Sequence, residues 1–147
     1  MRVRGTVQAL KYTCMCQIWY NTTNTRQGTL KPKPALTVAF YAESSGNEPV
    51  RKWLKSLDED SRFNIGTDIK KVQFRWPLGM PLVRSLGDRL WEVRSTMPYG
   101  IARIIFLVAK DKMVLLHGFN KKTQKTPTQD LQLALRRAKK YEEEECD

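Results

Sequence analysis

The spacing of hydrophobic positions along the chain changes from two to roughly 3.6 and back, and each change marks a predicted element. Residues 36–41 (LTVAFY) are β-branched and aromatic and predict a strand. Ser44-Ser45-Gly46-Asn47 is a turn, with Asn47 placed to cap a helix that has Glu48 and Pro49 in its first turn. Val50, Trp53, Leu54 and Leu57 then recur at helical spacing. Asp58, Asp60 or Ser61 opens a second helix with the stripe Ile65, Ile69, Val72 and Trp76, ended by Pro77 and Gly79. These two helices form a hairpin suited to covering a sheet.

Residues 90–95 (LWEVRS) alternate strictly, with Trp91 and Val93 on one face and Glu92 and Arg94 on the other. Met97-Pro98-Tyr99-Gly100 turns the chain into residues 101–108, a mostly apolar and therefore central strand. Residues 109–112 turn again, and 113–119 form the last strand. Connections this short predict antiparallel neighbours. Thr126-Pro127-Thr128-Gln129 has the form of a capping box with Pro127 at the first helical position. The helix it opens buries Leu131, Ala134, Leu135, Ala138 and Tyr141, and its other face carries Arg136, Arg137, Lys139 and Lys140. The predicted order is β-α-α-β-β-β-α. It describes an α+β fold with an N-terminal strand and helical hairpin, an antiparallel sheet and a C-terminal helix.

The chain of 147 residues accommodates one such domain, at 36–141. Residues 1–35 contain no acidic residue and end in the stiff run Lys31-Pro32-Lys33-Pro34. They are expected to be an extension, disordered or the product of a mis-called start, with a nucleic-acid-binding arm as the alternative. Residues 18–20 (IWY) have strand composition but no neighbour to pair with. Residues 142–147 form an acidic tail, read as a solvated helix end. The longest apolar run, 104–109, is strand-sized, so no membrane span is expected. Arg2 and Arg4 are not followed by the apolar core of a secretory signal. Cys14, Cys16 and Cys146 have no metal-ligand spacing, and an odd cysteine count without a signal fits reduced thiols in the cytoplasm.

Charge narrows the functional classes. The chain carries a formal net charge of +11. A basic globular body suits a polyanionic partner, nucleic acid first, although a solubility surface gives the same number. No metal cluster, phosphate-binding glycine loop or nucleophile elbow is present, so no cofactor or metal is expected. One histidine, His117, excludes a ribonuclease that works with a pair of them. What remains is a cluster of cations around the predicted sheet. Arg94 and Arg103 lie on adjacent strands, His117 is on the next, and Lys121, Lys122 and Lys125 follow in the loop leaving it. A three-strand meander brings such groups to one surface. Arg103 stands among apolar residues and must either reach an edge or be buried with a partner, whereas Arg94 can simply pair with Glu92 or Asp88.

Such a cluster matches the needs of RNA cleavage. Attack of a 2′-hydroxyl on its phosphodiester passes through a dianionic phosphorane, which preorganised guanidinium and ammonium groups stabilise. A base takes the 2′ proton and an acid protonates the leaving 5′-oxygen. Histidine titrates near neutrality, and a lysine crowded by cations can be brought there.

Three segments carry a family resemblance: Ser85-Leu86-Gly87-Asp88-Arg89-Leu90-Trp91-Glu92-Val93-Arg94, Gly100-Ile101-Ala102-Arg103-Ile104-Ile105-Phe106, and Leu115-Leu116-His117-Gly118-Phe119-Asn120-Lys121-Lys122-Thr123-Gln124-Lys125-Thr126-Pro127. In these the chain resembles the RelE/HigB toxins of toxin–antitoxin modules, in particular their phage-derived HigB-like subgroup. The resemblance covers about residues 36–141. It implies a RelE-like fold and a metal-independent mRNA endonuclease acting at the ribosomal A site. It also implies a helix-turn-helix, HigA-like antitoxin through which alone the operator DNA is contacted, and a cytoplasmic protein without a membrane partner.

Carried over residue by residue, Arg103 matches the arginine that contacts the scissile phosphate, and Lys121 or Lys122 the basic residue past the last strand. With His117 these are the candidate catalytic residues, and Arg84, Arg94 and Lys125 the candidate RNA-binding ones. The chain departs from the family in having Leu90 and Glu92 where RelE members carry a Lys-x-Lys pair. It also lacks a counterpart of their C-terminal tyrosine, since Tyr141 lies further along the last helix. Two other readings stay open on the same fold: a ParE-like gyrase poison, and an inactive module that binds nucleic acid or its antitoxin.

Overall fold

A computed structural model describes residues 32–121 and 126–146. The strand candidate at 18–20, Cys14, Cys16, Lys122, Lys125 and nearly all of the N-terminal extension lie outside the described residues. The elements are β1 (Thr37–Phe40), α1 (Pro49–Ser56), α2 (Glu59–Arg75), β2 (Val83–Gly87), β3 (Leu90–Met97), β4 (Gly100–Ala109), β5 (Lys112–Lys121) and α3 (Thr128–Cys146). They build an α+β fold around a five-stranded sheet in the order β1-β5-β4-β3-β2. Among the described residues no helix is long and apolar enough to cross a membrane.

The sheet departs from the expected one in two ways. It is mixed: β2 to β5 are antiparallel neighbours, but β1 lies parallel to β5. The chain leaves β1 through two helices and the whole meander before returning beside it, and a long crossover of this kind permits parallel pairing. The sheet also has a further edge strand, β2, joined to β3 by a tight turn in which Asp88 and Arg89 take φ of 48° and 61°. Arg84, Ser85 and Gly87 disguise β2 as loop, because an edge strand exposes most of its side chains.

Both faces of the sheet are covered. On one, α1 and α2 bury Val50, Leu54, Ile65, Ile69 and Val72. Trp76, at the end of α2, meets Trp91 and Phe106 edge-to-face at 5.1 and 5.7 Å between ring centroids. Here too Gly118 lies directly beneath the Trp53 indole, so a Cβ at that position would overlap the ring. On the other face, Ala134 and Ala138 of α3 pack on Leu90, Ile105, Leu107, Val114 and Leu116, with Leu131, Leu135 and Tyr141 at the margin.

Local capping differs from the sequence expectation at two of three helices. Asp58 does cap α2, accepting the Ser61 backbone N–H at 2.9 Å. Hydrogen bonding from the Ser61 side chain, and then from this backbone N–H, holds its carboxyl below the usual value of 3.8. Asn47 does not cap α1: its amide donates to Glu43 instead, and Glu48 stands at the cap position without a side-chain capping bond, its carboxylate pairing with Arg51 Nε at 2.9 Å. Thr126 and Pro127 precede α3 rather than entering it, and the Thr126 hydroxyl is taken up by Glu92. The last helix runs on through Cys146, with Glu142 at 2.7 Å from Arg89 and Glu145 at 3.4 Å from Lys112.

Candidate active site

Strand register decides which candidate residues meet. Residues opposite one another on neighbouring strands project to the same face, as do alternate residues along one strand. One row runs Arg84, Glu92, Ile105, His117; the next Arg94, Arg103, Phe119; the next Thr96, Ile101, Lys121. Ile105 packs under α3. All five described candidates, Arg84, Arg94, Arg103, His117 and Lys121, therefore belong to the face that α3 partly covers. Lys121 is the last residue of β5 and not the first of a loop, because the β4–β5 ladder extends to its pairing with Ile101.

The centre of this face is an ionic knot. Glu92 has no exposed surface and Arg103 only 4%. Arg103 Nη1 donates to Glu92 Oε1 at 2.7 Å, and Arg94 Nε to the same oxygen at 3.3 Å. Thr126 donates its hydroxyl to Glu92 Oε2 at 2.6 Å and accepts from Arg103 Nη1 at 3.1 Å. A buried carboxylate survives only when such donors replace its water. Of the two environments open to Arg103 from its sequence, burial with a partner is the one adopted. Two guanidiniums against one carboxylate leave a net positive charge, and Arg94, 26% exposed, is its accessible part. Arg84 lies on the exposed edge of the same face.

His117 is held differently. Its Nδ1 lies 3.3 Å from Arg137 Nη1, and Asp130 Oδ1 lies 2.7 Å from its Nε2. An arginine can only donate, so Nδ1 accepts and the ring proton sits on Nε2, donated to Asp130. Phe119 stacks on the imidazole at 5.5 Å between centroids. Both ring nitrogens are thus engaged by α3, and His117 can exchange a proton with a substrate only after one of these contacts opens.

Arg137 does not lie on the solvated face of α3 where its position in sequence suggested. It donates to the Leu116 carbonyl at 2.9 Å, and burial lowers its pKa below the usual arginine value, with Glu43 and Tyr41 opposing the shift. Glu92 as the hub, Thr126, Asp130 and Arg137 are the site residues that sequence reasoning missed. The available signals were a mid-strand acid on the same face as Arg94 and one strand away from the mid-strand Arg103, and Asp130, Ala134 and Arg137 falling on one helical stripe. Lys122 and Lys125 lie outside the described residues. Among the described residues no cluster of acidic, histidine or cysteine side chains could hold a metal ion.

Residues 52–139, more than half of the chain and including every described member of this site, match the family described as phage-derived protein Gp49-like (DUF891). The chain belongs to the Gp49-like family. This is a RelE/HigB-type family of toxins from toxin–antitoxin systems, in agreement with the resemblance in the three sequence segments. No curated protein matches the chain. The segment shared with the Gp49-like family begins within α1 and closes within α3, so the meander, the ionic knot and the His117 pair all fall inside it.

Proposed function

We propose that this Gp49-like chain is the toxin of a type II toxin–antitoxin module, of the HigB-like subgroup and with a RelE-like fold, and that it cleaves mRNA on the ribosome. The observation that carries the reading is the convergence of Arg84, Arg94, Arg103, His117 and Lys121 on one sheet face around the buried Glu92. Arg94 is the accessible guanidinium that meets the scissile phosphate and stabilises the phosphorane. Arg103, held by Glu92 and Thr126, sets the field behind it. His117 and one of Lys121 and Lys122 supply the proton transfers, His117 after release from Asp130 or Arg137. No metal takes part in this scheme. A helix-turn-helix antitoxin binds the toxin and carries the pair to operator DNA, and both act in the cytoplasm.

The internal neutralisation of Arg103 favours a second reading, a catalytically inactive module that binds RNA or its antitoxin. Inducible expression separates the readings. Wild-type chain is expected to arrest growth and shorten messages, while Arg94→Ala and Lys122→Ala relieve both. Growth arrest with DNA breaks and intact messages would replace the proposal with gyrase poisoning. Absence of any arrest would favour the inactive module. Arg103→Ala is unsuited to this test, because it strands the buried Glu92 carboxylate and perturbs folding.

A further inference from the structure

A second basic concavity lies apart from the ionic knot. It is a cleft of about 420 Å³ between the loop after β1 and the middle of α3, lined by Glu43, Ser44, Ser45, Arg136, Arg137 and Lys140. It includes none of Glu92, Arg94 and Arg103. Three cations therefore face a single carboxylate, and that carboxylate is poorly placed to neutralise them. Glu43 lies 3.8 Å from Arg137 Nη2, while its other oxygen accepts the Asn47 amide at 3.0 Å. Lys140 donates to the Ser44 hydroxyl at 2.6 Å, a contact that orients its ammonium without offsetting its charge. Arg137 is pinned by the Leu116 carbonyl and by the face of Tyr41, 5.7 Å from the ring centroid. Fixed guanidinium and ammonium groups beside two serine hydroxyls supply the donors a tetrahedral oxyanion takes.

We propose that this cleft is a phosphate-binding site that holds a backbone phosphodiester of RNA at a distance from the ionic knot. The choice of RNA as the source of the phosphate rests on the function proposed above, whereas the oxyanion site itself does not. Occupancy would also draw on Arg137, which touches His117 at Nδ1, so the cleft and His117 share one side chain.

The test uses the full chain and a short single-stranded RNA methylated at every 2′-oxygen, which cannot be cut by 2′-hydroxyl attack. Its affinity is measured across a salt series for wild type, for Arg136→Ala with Lys140→Ala, and for Lys52→Ala with Lys55→Ala. The last pair removes the same charge from the exposed side of α1. The cleft variant is expected to lower the slope of log affinity against log salt by about 0.7 for each phosphate it no longer neutralises, and the α1 variant to leave it unchanged. Equal slopes for the cleft variant and wild type, or equally reduced slopes in both variants, would overturn the proposal. Inorganic phosphate, followed by the amide resonances of Ser44 and Ser45, separates oxyanion binding from RNA binding. Phosphate-dependent shifts that the cleft variant abolishes, in a protein that binds no RNA, would keep the oxyanion site and overturn RNA as its ligand. No shifts and no RNA binding would overturn both.

Discussion

Removing the Glu92 carboxylate should cost this fold more than any other single charge deletion in the site. The side chain has no exposed surface, and its two oxygens accept from Arg103, Arg94 and Thr126. Glu92→Ala leaves the Arg103 guanidinium buried without its carboxylate. Breaking a buried pair from one side costs about 3–5 kcal/mol. That is a large part of the roughly 5–15 kcal/mol available to a small domain, and it lowers the melting temperature by on the order of 10–20 °C. The Arg94 interaction adds little, because that guanidinium is 26% exposed and keeps its water. Urea unfolding followed by circular dichroism reads the difference. The same argument requires Glu92→Leu combined with Arg103→Met to recover most of the stability, since a buried pair and an apolar pair of similar volume are close in free energy. A Glu92→Ala stability within about 1 kcal/mol of wild type would refute the reasoning. So would a double variant no more stable than the single one.

Gly118→Ala should destabilise the protein by about 1–3 kcal/mol through overlap with the Trp53 indole, and by much less in a Trp53→Leu background, measured by the same unfolding. Arg94→Ala should change stability by less than about 1 kcal/mol and lower the rate of RNA cleavage on the order of a hundredfold, which single-turnover cleavage beside a thermal melt will show. Asp58→Ala should lower the melting temperature at neutral pH. Because the Asp58 carboxyl is held below 3.8 in the folded chain, its contribution is complete above that value and is lost as pH falls through the lower folded-state value. Wild type and variant should therefore converge in acid, and a melting difference that grew in acid would contradict the cap.

The apolar periodicities made most of this architecture legible. Ile65, Ile69 and Val72 are buried along α2 as their spacing predicts, and Ala134 and Ala138 hold α3 to the sheet. The opposition of Glu92 and Arg94 to Trp91 and Val93 also appears in the sheet, but the Glu92 face of β3 opens to water only towards Arg94 and Thr96, and Glu92 itself is buried. That is why an alternating pattern, usually read as core against solvent, concealed a buried acid. The parallel placement of β1 was hidden because its pairing with β5 is separated by most of the domain and no local residue encodes it. Thr126 misled for a related reason. The residue has the chemistry of a helix cap, and a buried carboxylate nearby in space but 34 positions away in sequence takes its hydroxyl instead. The convergence of Arg94 with Arg103 needed only adjacent strands, whereas the Asp130 and Arg137 contacts with His117 needed the docking of α3, which sequence does not specify.

The central claim concerns RNA chemistry at the face around Glu92, and one experiment addresses it most directly. The purified 147-residue chain is incubated with a defined mRNA, with and without ribosomes programmed with it, and the 5′ ends of the products are mapped. The account predicts cuts within the A-site codon of the programmed message, bearing the 5′-hydroxyl ends that 2′-hydroxyl attack leaves, and their disappearance in Arg94→Ala. Intact message in both reactions, from a folded protein, would contradict it.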